Sequence, residues 1–281
     1  VVRFHLRRRL LRLALAIAVV AAVALAGREV LARQRRLGTS NRFPVPTESS
    51  FDGGFNFCRV VFQTGRFRRG GNWVVDYPRA DVNLSIRLSE LTKTRVSVDG
   101  DREPRHFVLP LTDSSLFRCP FVMMTEPGGL VFDDAEVARL REYLLKGGFL
   151  WADDFWGEAA WINFEREIRR VLPDGDFPLR DLDRDHPLFR VHFPVQQVIQ
   201  IPSINFWAGT GGDTSEWGPE SREPHARGFL DRQGRVLVLA THNTDYGDAF
   251  EREGDDPDYF QTFSVDGYAF GINVVLYAMT H

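Results

Sequence analysis

Between residues 57 and 172, short apolar runs alternate with stretches whose apolar residues recur at helical spacing, and few architectures accept that alternation. Phe57 to Phe62, broken only by Arg59 and closed by Gln63-Thr64-Gly65, reads as a buried strand. Asp76-Tyr77-Pro78 then opens a helix with Val82, Ile86 and Leu88 to Leu91 on its stripe. Arg95 to Val98 and His106 to Leu109 are weaker strand candidates, and Phe121 to Met124 is a firm one, ending at Thr125-Glu126-Pro127-Gly128-Gly129. Asp133 caps a helix that runs to Lys146 with Val137, Leu140, Leu144 and Leu145 inward, and Gly147-Gly148 stops it. Phe149 to Ala152 is the next strand, with Asp153-Asp154 at its end, and a helical stripe from Ile162 to Leu172 follows. A later strand, Val236 to Ala240, and a terminal helical run, Tyr268 to Met279, complete the pattern. Such alternation predicts a doubly wound α/β domain whose mainly parallel sheet is covered on both faces. Ligands of these sheets bind beyond the carboxyl ends of the strands. That rule singles out Gln63, Thr64, Glu126, Asp153, Asp154 and the run Thr241-His242-Asn243.

The amino terminus has a different character. A basic stretch, Val1 to Arg12, precedes fourteen uncharged apolar residues, Leu13 to Ala26, which close on Ala24-Leu25-Ala26. This is the order of an export signal, and the same segment serves as a retained anchor if Leu10 and Leu11 join the span. Residues 1–26 are therefore read as a signal peptide or membrane anchor, and the body as extracytoplasmic, in the periplasm or cell envelope. Arg8-Arg9 also fits a twin-arginine export signal. Residues 27–54, with Pro44, Pro46 and Gly53-Gly54, read as a linker, which leaves 55–281 for the α/β domain.

Charge sharpens this division. The whole chain carries −3, but all five charged residues of 1–26 are arginines, and without them 30 basic residues face 38 acids, a net −8. That balance argues against a nucleic-acid-binding body. No run after residue 26 is long enough to cross a bilayer, so a polytopic membrane protein is excluded as well. Two cysteines, Cys58 and Cys119, make no disulfide scaffold. An exported protein can oxidise them, but the reading adopted is two separate buried thiols.

The adjacent carboxylates Asp153 and Asp154 are the strongest chemical feature, because two buried acids repel unless partnered. With Glu126 and His242 they are the catalytic candidates. With Asp76, Tyr77, Glu126, Trp156 and His242 they are the ligand-binding candidates, and with Asp245 the candidate ligands of a divalent metal. His242, three residues before Asp245, is a candidate base or metal ligand, and His186 a weaker one. The acids between Asp245 and Asp258 read as a solvated loop without the spacing of an EF-hand. Gly70-Gly71 and Gly128-Gly129 lie outside phosphate-loop and dinucleotide frames, and neither HExxH nor GxSxG occurs, so no organic cofactor is expected.

Several landmarks occur in order: Trp73 through Asp76-Tyr77-Pro78, Asp81 and Asn83, Leu88-Ser89-Glu90-Leu91-Thr92, and Met124-Thr125-Glu126-Pro127-Gly128. They continue with Gly147-Gly148-Phe149-Leu150, Asp153-Asp154-Phe155-Trp156-Gly157, His186-Pro187, Gly271-Ile272-Asn273, Tyr277-Ala278 and Thr280-His281. Through them the chain resembles the DUF4159 family of bacterial exported proteins. The resemblance implies a flavodoxin-like sheet, similar to class I glutamine amidotransferases and ThuA-like proteins, and envelope partners of the von Willebrand A type with MoxR-linked systems. Amidotransferases of that fold carry a cysteine on the turn after a central strand, where this chain has Asp153-Asp154. The expectation is a non-catalytic binding or assembly module of the cell envelope. The alternative is a carboxylate- or metal-dependent hydrolase of carbohydrate or peptidoglycan.

Overall fold

The computed structural model describes residues 43–65 and 72–281, so the expected signal or anchor segment and most of the linker lie outside the described residues. The chain divides after residue 45, and the second unit, Pro46–His281, contains the α/β fold. Among the described residues no helix is long and apolar enough to cross a membrane.

A seven-stranded sheet organises this unit. Its strands are β1 (Phe57–Val61), β3 (His106–Pro110), β4 (Phe121–Thr125), β6 (Phe149–Phe155), β7 (Leu179–Asp181), β8 (His225–Leu230) and β9 (Val236–His242), while β2 (Gln63–Thr64) and β5 (Leu130–Val131) form a separate antiparallel ribbon. The order is β3-β1-β4-β6-β9-β8-β7. The first five are parallel, and β8 and β7 add an antiparallel edge. The expected mainly parallel α/β sheet is therefore present. Chain order reverses between β1 and its two neighbours β3 and β4, and such a reversal opens a crevice at the carboxyl end of a sheet.

The helices are α1 (Arg79–Leu91), α2 (Asp134–Leu145), α3 (Glu158–Val171), α4 (Ile204–Thr210), α5 (Tyr246–Glu251) and α6 (Val265–Thr280), the last entered through a π-helical stretch, Phe260–Ser264. Side chains alternate across each strand, so both faces of the sheet are apolar and each needs a helical layer. Phe57, Phe121, Met123, Phe149 and Trp151 pack with residues of α1, α5 and α6. Val60, Val122, Met124, Leu150 and Ala152 pack with residues of α2 and α3 on the other face. Asp133 caps α2 as expected, accepting from Glu136 N while the Glu136 side chain accepts from Asp133 N.

Several local expectations are corrected. Leu145 and Ile162 are exposed, and Val82 and Ile86 are only half-buried, because α1 turns Ala80, Asp81, Leu84, Ser85 and Leu88 inward. Arg95 to Val98 supplies only isolated bridges, Phe55 to Val96 and Val98 to Pro104. The antiparallel strands β7 and β8 carry charged residues at Arg180, Asp181 and Arg227, so neither forms an apolar run in the sequence. Cys58 and Cys119 form a disulfide rather than two separate thiols. Pairing of β1 with β4 brings their Cα atoms to 6.2 Å, within disulfide reach. The end of the expected linker also packs on the domain: Phe51 lies against Phe107, and Asp52 pairs with Arg95 and Arg105.

Candidate functional site

Among the described residues five non-glycine residues have left-handed backbone; Glu126, Asp154 and Asn243 lie at or next to the carboxyl ends of strands, and Asp76 in the segment before α1. Non-glycine residues are held there only when the surrounding structure over-determines them. What holds Asp76 is a buried arginine. Arg59 points from β1 into the face covered by α1 and is fully buried. Its guanidinium donates to both oxygens of Asp81, to the Thr125 hydroxyl, and to the carbonyls of Trp73 (3.2 Å) and Val75 (3.0 Å). Those carbonyls belong to the segment that presents Asp76. An arginine inside an apolar strand was the sequence signal for this anchor.

The two adjacent acids of β6 have separate fates. Asp153 is fully buried and accepts from the Thr241 hydroxyl and, at 2.9 Å, from Gly247 N, so it clamps the first turn of α5. Burial raises its pKa to about 7, against the lowering pull of these hydrogen bonds. Register shifts between Ala152 and Phe155, where Asp154 takes a φ of 58°, and this irregularity breaks the alternation of side chains. Asp154 Oδ1 accepts from Trp156 Nε1 at 3.0 Å.

Asp154 thereby joins Asp76 and Asp245, and their carboxylate oxygens lie within 4.8 Å of one another. All three side chains are buried. Among the described residues Asp76 Oδ2 has no hydrogen-bond partner. Gly247 passes so close that any Cβ there would overlap Asp76 Oδ2, which accounts for glycine at that position. Asp245 caps α5 through Asp248 N at 2.7 Å. Burial raises all three pKa values well above the usual carboxylate range. Beyond burial, Asp76 feels the opposing pull of Arg59 and then the charges of Asp248, Glu251 and Asp153. Asp154 is raised further by Asp76, Glu126 and Asp153, and Asp245 by Asp154, Asp76, Asp248 and Asp153.

A second group, Asp76, Asp248 and Glu251, meets the same distance limit, but two of its members have cationic partners. Arg252 pairs with Asp248 at 3.3 Å and with Glu251 at 2.8 Å. Asp248 also accepts from Ile204 N. The expected solvated acidic loop is corrected here: Asp245 and Asp248 are buried at the start of α5. Their three-residue spacing ahead of an apolar stretch was a capping signal that could have revealed it.

Of the other sequence candidates, Glu126 follows β4, donates its N–H to the Asp153 carbonyl and acts on Asp154 through its charge. Tyr77 lies 5.9 Å under the Arg59 guanidinium and edge-on to His106, beside the cis peptide to Pro78. His242 is not gathered into the acid cluster. Its ring lies among Phe155, Trp161 and His225, and its Nε2 bonds to the Gly157 carbonyl at 3.0 Å. Burial lowers its pKa to about 4, so it is neutral at neutral pH. Asp245 is therefore not its orienting partner. His186 caps the turn Pro187–Arg190 and packs on Tyr277.

Together the sheet and its edge define an α/β domain whose carboxyl edge gathers buried carboxylates around the end of a central strand. The profile of the family described as a domain of unknown function, DUF4159, matches residues 57–279, and the chain belongs to that family. No curated protein matches it.

Proposed function

We propose that this chain is an extracytoplasmic binding or assembly domain of the cell envelope, exported or anchored by its N-terminal segment, that holds a ligand at the carboxyl edge without turning it over. One observation carries the reading: the left-handed position near the end of central strand β6 bears the carboxylate of Asp154. The five parallel strands follow a flavodoxin-like order, and in the amidotransferase-like members of that fold the corresponding turn bears a nucleophilic cysteine. A carboxylate does not simply replace a thiolate as acyl acceptor. Asp153 is taken up by Thr241 and the α5 amides, which leaves it unsuited to shuttling protons. The Cys58–Cys119 disulfide is in keeping with an oxidising compartment. Partners of the von Willebrand A type, linked to MoxR-type ATPases, remain the expected assembly context.

The test is co-sedimentation of the full chain with purified peptidoglycan and envelope polysaccharide, with cell fractionation alongside. The expected result is an envelope fraction and saturable binding without release of reducing ends or free amino groups. Release that disappears in Asp154→Asn would overturn this reading in favour of a hydrolase.

A further inference from the structure

We propose that Asp76, Asp154 and Asp245 form a binding site for a hard divalent cation, which fastens the segment before α1, strand β6 and the cap of α5 to one another. The inference rests on reading the carboxyl edge as a binding site, and names what sits at its centre.

Two independent observations carry it. The first is geometry: oxygens from three separate parts of the chain lie within 4.8 Å of one another. A calcium ion with oxygens at about 2.3–2.6 Å spans opposed ligands about 5 Å apart, and magnesium at about 2.0–2.1 Å spans about 4 Å. The second is Asp76 Oδ2, a buried carboxylate oxygen that accepts no hydrogen bond among the described residues. A buried acceptor left this way is costly unless a cation or donor meets it.

Among the described residues, Arg59 and Arg252 are already committed. Arg59 donates to Asp81, Thr125 and two carbonyls, and Arg252 to Asp248 and Asp255. Arg252 neutralises the second carboxylate group and not the first, so the two groups differ in what they lack. A donor set made only of carboxylate oxygen selects calcium, magnesium or manganese over zinc or copper.

The experiment uses the full chain stripped with EDTA and titrated separately with calcium, magnesium and manganese chloride, read by calorimetry and by the melting temperature. At least one ion is expected to bind saturably and raise the melting temperature. Asp76→Asn and Asp245→Asn are each expected to weaken that binding by at least about tenfold, since even outer-shell changes at metal sites cost 10–100-fold. Glu251→Gln, whose carboxylate is paired with Arg252 and stands outside the proposed ligand set, is expected to weaken it less than either of these variants. Circular dichroism of the variants in EDTA establishes that they are folded. If no ion binds, or if folded Asp76→Asn binds like the parent, the cation site is overturned.

Two further outcomes separate the cation centre from the binding domain. Envelope ligand that binds equally in EDTA and to Asp76→Asn overturns the cation centre as part of that site and leaves the binding domain standing. Cation binding by a chain that takes up no envelope ligand supports the centre and overturns the binding domain.

Discussion

Two buried charged groups sit side by side at the carboxyl edge, and they are built on opposite terms. Arg59 and Asp81 are both fully buried, yet each charge faces its opposite, and the remaining guanidinium hydrogens reach Thr125 and two carbonyls. Asp76, Asp154 and Asp245 are buried within reach of one another, with only Asp76 feeling the pull of Arg59, and among the described residues Asp76 Oδ2 has no hydrogen-bond partner. Burial is thus compatible with a purely structural role in the first group, whose members complete one another. The second group is incomplete as it stands. It holds a high proton affinity in place of a counter-charge, which is how a site prepared for a cation differs from a structural ion pair.

The largest expected effect comes from breaking the completed group. Arg59→Met strands Asp81 in the core and releases the carbonyls that fix the Asp76 segment, so it should cost about 3–5 kcal/mol, measured by urea unfolding. Pairing it with Asp81→Leu should recover much of that loss, and no recovery would count against the complementarity of Arg59 and Asp81.

Next in size is the covalent tie on the same strand. The Cys58–Cys119 bridge joins residues 61 apart, and a loop of that length corresponds to about 4 kcal/mol of chain-entropy stabilisation. The Cys58→Ala, Cys119→Ala double variant should lower stability by up to that amount without altering cation affinity. A change in affinity would show that the two ends of β1 are coupled.

A third effect distinguishes the acid cluster from the aromatic surroundings of His242. The folded state depresses the His242 pKa to about 4, from an ordinary value of about 6.5. The unfolded chain therefore takes up a proton that the folded chain refuses. This contribution is fully present above about pH 6.5 and is lost as pH falls toward 4, about 3 kcal/mol in all. Acid unfolding should be shallower in His242→Phe over that window, and an unchanged slope would remove His242 as its cause.

The smallest effect has the opposite sign from the first. In EDTA at pH 8, Asp76→Asn removes one of three like charges and should stabilise the domain by on the order of 1 kcal/mol. A loss of stability there would mean that the carboxylate is already compensated, and would dissolve the contrast with Arg59 and Asp81.

Much of this contrast was legible from residues alone. Asp153 and Asp154 at a strand end and Glu126 after its neighbour were placed at one edge by the rule for parallel sheets, whereas Asp76, before a helix, was named only among the ligand-binding candidates. Which of the two aspartates enters the cluster was not legible, because a register shift in β6 settles it. His242 was grouped with these acids because it ends β9, yet its ring packs with Phe155 and Trp161. Thr241, beside it in sequence, is the residue that holds Asp153.

The sequence by itself determined the alternation of strands and helices, the parallel sheet and the edge where acids collect, because periodicity and turn residues act over a few neighbours. Tertiary structure alone decided that Cys58 meets Cys119, that Arg59 takes Asp81 and leaves Asp76 Oδ2 without a partner, and that Asp76 faces Asp154 and Asp245. Those pairings join residues from 22 to 169 positions apart. Only strand order and the close approach of Gly247 bring them within range, and at such range burial makes each charge depend on what stands opposite it.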